Sequence, residues 1–302
     1  MVSTSSPSGQ ALEDGVVFCR VSSWITGTRL VSLPFADHCE PLLNDLGEYL
    51  DCTHWLRAEC DGRVWKYVEL RPLFPLPVAG SGLRRSQRYC FHELDTTPSL
   101  EHIFRRLHKD SIQRRIRRAE KERFGYEVGR SEPLVEAFYR LLRITRKRQA
   151  LPPQPINWFK NLVAAMGDHL QIRLLRKDEI PVAAILTLRH RATVVYKYGC
   201  SDERFHHCGV MPLLFWKMIE ESKAEGAESI DFGRSDFDRP SLIAFKDKFG
   251  TSKRLLQYYR YTTSVKEGAE LSWDPHVMRQ LLSVLPNSVL TTGGKLLYRH
   301  MG

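Results

Sequence analysis

The chain has 302 residues, 42% hydrophobic and 26% charged, the balance of a soluble globular protein with room for two domains of ordinary size. Its formal net charge of +10 predicts attraction to something anionic, and phosphate on a cofactor, a nucleic acid or a lipid head group would each serve. Seven cysteines without a Cys-x-x-Cys pair exclude the small disulfide-stapled class and read as a reduced, cytoplasmic protein. The start "MVSTSSPSGQALEDG" lacks the basic and apolar regions of a signal peptide. The longest uncharged run, Gln280 to Gly294, contains Pro286, Gly293 and Gly294, so no membrane span is expected.

Residues 1–13 are Ser-rich and expected to be disordered. A first α/β unit over 14–95 follows, with short strands at "VVFCRV" and "RLVSLPF" and helical spacing at Leu42, Leu46 and Leu50. It continues with a strand "RVWKYVEL", a Pro/Gly-rich surface loop and the strand "YCFHEL". From Thr96 the character changes to a helical, very basic segment. Residues 105–123 hold nine Lys/Arg against three Asp/Glu, more than half of the chain's net charge. Over 96–262 the spacing then predicts a strand "YEV", a helix from Pro133 to Gln149, a Pro-rich break and a helix "INWFKNLVAAM". Three short antiparallel strands follow across "KDE" and "RHR", then a helix from Val210 towards Gly226, the strand "SIDFG", a short helix and a last strand. The tail, 263–302, carries one apolar helical pattern (Val277, Leu281, Leu282, Leu285) and a basic amphipathic end, "KLLYRHM". Antiparallel strands interrupted by one crossover helix predict a mixed α/β (α+β) sheet with helices on both faces, not a doubly wound parallel sheet.

This element order resembles the GNAT acyltransferase fold. The segments "LHKDSIQRRIRRAEKERFGYEV", "FYRLLRITRKRQALPPQP", "DFGR" and "FKDKFG" are similar to the Fem-type (FemAB-related) GNAT-like proteins of bacterial cell-envelope synthesis, over roughly residues 29–262. The resemblance implies two GNAT-like halves, the first shortened here. It also implies an N-acyltransferase that moves an acyl group from acyl-CoA (acetyl-CoA) or aminoacyl-tRNA onto an amino group of a polysaccharide or peptidoglycan precursor. No metal is expected, and the implied partners are a phosphate-bearing donor, an envelope-precursor acceptor and tRNA. The basic tail adds peripheral contact with the inner face of the membrane as an expectation.

A loop before a crossover helix is a natural phosphate site, because free N–H groups and the helix dipole converge there. The family's pyrophosphate signature is Arg/Gln-x-x-Gly-x-Gly/Ala. This chain offers Arg204 and Gly209, with Val210 opening the helix, but His207 stands where the first glycine belongs. The run His206-His207-Cys208 does not have zinc spacing. Tyr196 and Tyr198 alternate on "TVVYKYG" and are expected on one face of the strand, contacting substrate or packing the sheet, with Tyr198, nearer the strand end, the preferred catalytic candidate. Asp231 and Arg234 flank the turn after "DFG", where Arg234 meets a phosphate or carboxylate, or closes a turn with Asp236 or Asp238. Arg114, Arg115 and Arg118, with Lys109 and Arg117, form the phosphate-binding candidates of the basic segment, and Arg148 ends a helix before the Pro-rich break.

In the resemblance, Phe245-Lys246 borders the catalytic site, Lys246 meeting charge on the transferred carbonyl and Phe245 walling the pocket. Without it, Lys246 is a cation favouring the end of a short helix. A different class of function, a non-catalytic nucleic-acid-binding protein using the basic helix 105–123, accounts for the charge but lacks interleaved aromatics.

Overall fold

The structure, a computed structural model, describes residues 15–24, 27–63, 65–262, 290, 292–294 and 297–300. The N-terminal disorder expected over 1–13 and most of the 263–302 tail, including its apolar helical pattern, lie outside the described residues. Among the described residues no helix is long and apolar enough to cross a membrane.

The chain folds as two compact units that divide at Cys90/Phe91 and Arg254/Leu255. The expected boundaries were 95 and 262; the divisions fall instead inside two strands, one within β4 (Arg84–Asp95) and the other within β10 (Ser252–Tyr261). In the first unit β1 (Cys19–Val21) pairs antiparallel with β2 (Arg29–Val31), which runs parallel to β3 (Val68–Leu70), and β10 pairs antiparallel with β3. Helix α1 covers this sheet over Leu46–Gly62. Its start is set by Asp45, whose side chain accepts from the Glu48 N–H at 2.9 Å. The buried face is Tyr49, Cys52, Leu56 and Cys60, whereas Leu42 and Leu46, expected to mark the apolar stripe, are exposed. The helix begins later and runs a full twelve residues past Leu50.

The second unit opens with α2 (Leu100–Arg106), a π turn (Lys109–Gln113) and α3 (Arg114–Lys121). The basic segment is therefore not one helix. Leu107 is extended (ψ 142), the His108 N–H leaves the segment to bond the Lys248 carbonyl at 2.8 Å, and the Gln113 side chain donates to the Leu107 carbonyl at 2.8 Å. Strand β5 (Gly125–Gly129), α4 (Glu132–Arg148) and α5 (Ile156–Met166) follow. Then come β6 (Leu170–Lys177), β7 (Ile180–His190) and β8 (Thr193–Ser201), an antiparallel meander with tight two-residue turns. The first turn holds Asp178 and Glu179 at φ 48 and 62, the left-handed pair that matches strand twist in a hairpin. Helix α6 (Val210–Ala224) crosses over to β9 (Ser229–Ser235), which lies parallel to β8, and α7 (Pro240–Asp247) leads to β10. The order β9-β8-β7-β6-β5 makes a mixed sheet.

Both faces are covered, as alternation along β7 shows. Ala183 and Ile185 face a core with α3 and α6, while Ala184 and Leu186 face a second core with α4 and α5. Gly209 joins the 3-10 turn Glu203–Cys208 to α6 at φ 82, and a Cβ there would stand 2.5 Å from the Arg115 carbonyl oxygen of α3. Gly209→Ala therefore incurs both backbone strain and a clash with main chain. We expect a loss of about 1–3 kcal/mol, read as a lower urea midpoint.

Candidate active site

Strands β8 and β9 are in register at Thr193/Ser229, Val194/Ile230 and Val195/Asp231, and both continue well beyond that point without pairing to each other. At the far end of β8, beyond the paired stretch, a cleft of about 390 Å³ opens. Its walls come from five places: the end of β8 (Gly199–Ser201), the end of α4 (Thr145, Arg148), the π turn and α3 (Ser111, Arg115), the start of α6 with His206 before it, and α7 with the residue that caps its end (Phe245, Lys248).

The parting has a local cause. Leu186 faces Tyr198 and Thr187 faces Tyr196, so Lys197 is an extra residue, a β-bulge that shifts the alternation of β8 by one. Tyr196 and Tyr198 consequently point to opposite faces, which corrects the expectation from simple alternation. Tyr198 is buried with Phe138 and Phe159, and its hydroxyl accepts from the Trp158 ring N–H at 3.2 Å. Tyr196 packs on Phe215 and Phe232, and its hydroxyl lies against Gly199, where a methyl group would collide with it. Burial, followed by the neighbouring Cys200, raises the Tyr196 pKa, so the phenol keeps its proton at neutral pH. Cys200 is likewise held as a thiol by burial, directed at the Phe138 and Ala184 carbonyls.

At the end of β8 the main chain of Ser201 is clamped by α4. Its N–H donates to Thr145 Oγ1 at 2.9 Å, and its carbonyl accepts from Thr145 Oγ1 at 3.2 Å and Arg148 Nη1 at 3.3 Å. The Ser201 hydroxyl lies 2.8 Å from His206 Nε2. Partial burial and then the charge of Arg148 lower the His206 pKa against the opposing pull of Glu203 and Asp202. The ring is therefore a neutral imidazole at physiological pH, able to take a proton.

Of the residues expected from sequence, Arg115, Arg148 and Phe245 line the cleft, while Arg114 and Arg118 lie exposed on α3. Arg204 is exposed and held by Asp202, with its Nη2 2.6 Å from the carboxylate, and the pair lowers the Asp202 pKa. Gly209 and Val210 are buried at the start of α6, directly before the cleft-lining Met211 and Pro212. That helix start is a poor phosphate cradle, since the Arg115 carbonyl faces it and Pro212 has no N–H to offer. Asp231 is buried and accepts from the Gly233 N–H at 2.6 Å within β9, and the Arg234 carbonyl is one partner of Lys246, so these residues extend the strand rather than flank a turn.

Lys246 is 3% exposed, its ammonium donating to the Gly233 (2.9 Å) and Arg234 (3.0 Å) carbonyls at the end of β9. It is not at the cleft wall, where its neighbour Phe245 stands. Ser201, Thr145 and Lys248 were not among the site residues expected from sequence, and His206 was weighed there only as part of a run without zinc spacing, inside the degraded phosphate loop. Among the described residues no group of three or more His, Cys, Asp or Glu side chains is placed to hold a metal ion, and His207 Nε2 lies 3.3 Å from Cys208 Sγ.

The family profile Acetyltransferase (GNAT) domain matches residues 106–246, which contain most of the cleft. No curated protein sequence matches the chain. Among solved structures, a protein described as the C-terminal domain of a lysylphosphatidylglycerol synthetase from Agrobacterium fabrum aligns at 14% identity with TM-score 0.57, over 93% of this chain and 90% of that one. L-PGS from Bacillus licheniformis aligns at 15% identity and TM-score 0.56 over 88% of each chain. FemX aligns at 14% identity and TM-score 0.55 over 82% of this chain and 88% of that one.

Replacing Lys246 by Met keeps the volume but removes the donor from two buried carbonyls. We expect a stability loss of about 1–3 kcal/mol in chemical denaturation, with Lys246→Arg also destabilising because the fork does not fit the same two acceptors.

Proposed function

From the premise that this chain carries a GNAT acetyltransferase domain within a Fem-like fold, we propose that it is an N-acyltransferase, moving an acyl group from a phosphate-bearing donor to an amino group of a cell-envelope precursor. The observation that carries the reading is the cleft at the end of β8, which combines a neutral base with three cations and has the protonated Tyr196 phenol directly behind its Gly199 wall.

Acyl transfer to an amine requires a group that takes the amine's proton and a donor for the charge that develops on oxygen. His206 supplies the first and Tyr196 the second, their environments having driven their pKa values apart. Arg115, Arg148 and Lys248 bring positive charge to the cleft wall, where they are suited to the phosphates of acyl-CoA or the end of an aminoacyl-tRNA. Side chains rather than a helix start would hold the donor phosphates, consistent with the obstructed beginning of α6. Lys246 acts as a positioning residue that ties α7 to the end of β9 and so holds its neighbour Phe245 at the cleft wall. The likeness to a lysylphosphatidylglycerol synthetase, whose name joins an amino acid to a lipid phosphate, supports an anionic partner.

A thermal-shift series with acetyl-CoA, longer acyl-CoAs and aminoacyl-tRNA tests the donor. A specific donor at a hundredfold excess over its Kd stabilises by about 2.7 kcal/mol, and no stabilisation by any of them would sink the proposal. With the donor in hand, kcat/KM should fall on acidification with a midpoint below 6.5, the ordinary histidine value, since the lowered pKa keeps His206 neutral further into acid. His206→Gln should remove that limb and reduce kcat roughly 10²–10⁴-fold.

A further inference from the structure

A cation stands beside the base of the cleft with most of its hydrogen-bonding fork turned to no partner on the wall. Arg148, the last residue of α4, places Nη1 3.3 Å from the Ser201 carbonyl, while the Ser201 hydroxyl lies 2.8 Å from His206 Nε2. One residue thus separates the guanidinium from the imidazole. Resting on the N-acyltransferase reading, we propose that Arg148 holds a carboxylate of the acceptor, so that the amine beside His206 belongs to an amino-acid-type acceptor with a free carboxylate rather than to an amino sugar.

Three observations favour this. First, the guanidinium is placed in advance of any ligand. Thr145, one turn earlier on α4, bonds both the N–H and the carbonyl of Ser201, at 2.9 and 3.2 Å, which fixes the helix end against the strand end. Second, the wall supplies no competing anion. Among the described residues no Asp or Glu lines the cleft, and Asp202, next to Ser201, is held by Arg204. Among those residues Arg148 makes one hydrogen bond, and the rest of its planar fork matches the two oxygens of a carboxylate. Third, the position suits the reacting end of a substrate better than a phosphate. The pantetheine arm of an acyl-CoA, or the terminal ribose of an aminoacyl-tRNA, keeps the phosphates away from the reacting carbonyl. Arg115, a weaker influence on the imidazole, and Lys248 remain for those phosphates.

The placement couples recognition to proton transfer. After burial, the charge of Arg148 is the largest influence lowering the His206 pKa, with Arg115 acting the same way, Glu203 and Asp202 opposing, and Lys248 on the same cleft wall. A carboxylate seated on Arg148 screens that charge, so the imidazole becomes more basic when the right acceptor arrives. An amine without a carboxylate brings its ammonium to an unscreened cation instead. The transfer itself is direct: the amine nitrogen bonds the acyl carbon, the bond to the donor's sulfur or oxygen breaks, and the proton that His206 takes from the amine passes to the leaving atom.

The first test needs neither donor nor acceptor. The full-length chain, labelled at histidine, is titrated by NMR at constant ionic strength in sodium chloride, sodium acetate or sodium phosphate, with His206 assigned from His206→Gln. Acetate should move the His206 midpoint up by about 0.5 or more relative to chloride, and further than phosphate does. Arg148→Gln should begin from a raised midpoint and lose the acetate response, its melting temperature confirming the fold. No acetate response in the wild type, one that persists in Arg148→Gln, or a larger response to phosphate would each overturn the proposal. With a donor identified by thermal shift, L-alanine, L-alaninamide and glucosamine are then compared as acceptors. L-Alanine should lead in kcat/KM on the order of 10²-fold, Arg148→Gln should erase most of that lead, and Arg148→Lys should keep part of it. Equal use of the amide, or a lead unchanged in Arg148→Gln, would count against the acceptor carboxylate. So would an Arg148-dependent preference for succinyl-CoA over butyryl-CoA, which places the carboxylate on the acyl group. If no donor binds, the N-acyltransferase reading fails, and the acetate titration still decides whether Arg148 is a carboxylate site.

Discussion

The short register of β8 on β9 is the constraint from which the site follows. Parallel neighbours usually pair along their shared length because unpaired main-chain groups are costly to bury. Here the register runs through Val195/Asp231 and stops, and the extra residue at Lys197 turns β8 away two positions later. The freed strand end is held from its other side by Thr145 and Arg148 of α4. What β8 loses in ladder bonds it regains in part from side chains, and the cleft opens at that strand end.

The same economy governs the charges around it. Among the described residues of the second unit, two cations are taken almost wholly out of water: Lys246, with the Gly233 and Arg234 carbonyls, and Arg173, with Glu221, Thr187 and Gln171. Each is matched by acceptors, as a buried cation must be. The cleft cations Arg115 and Arg148 lie exposed instead, leaving much of their donor capacity for a ligand. Burial therefore separates the basic residues into those that hold the scaffold and those available for binding.

The mixed sheet was legible in the sequence because its signals are local: periodic apolar runs, tight turns at Asp178-Glu179, and Pro212 and Gly226 around the crossover helix. The first helix was misplaced because Leu42 and Leu46 share helical spacing with Leu50 yet lie exposed, whereas the buried face contains Cys52, Thr53 and Cys60, which a reading for leucines passes over. The site was only partly legible. Arg115, Arg148 and Phe245 stood in recognisable segments, but one inserted residue in β8 reverses the facing of Tyr198, and no periodicity argument can foresee a bulge. Ser201 and His206 are five positions apart in an unremarkable stretch, and their partnership exists only once a 3-10 turn folds one back on the other.

The close approach of the Arg115 carbonyl to Gly209 bears on how such a chain could change over generations. Restoring a glycine at position 207 would complete the written phosphate signature, yet the space before α6 would still face a carbonyl from a distant segment. Recovery of a phosphate-binding helix start would require a compensating shift in α3 at the same time. Neither change restores that helix start without the other, so the two segments are epistatically tied.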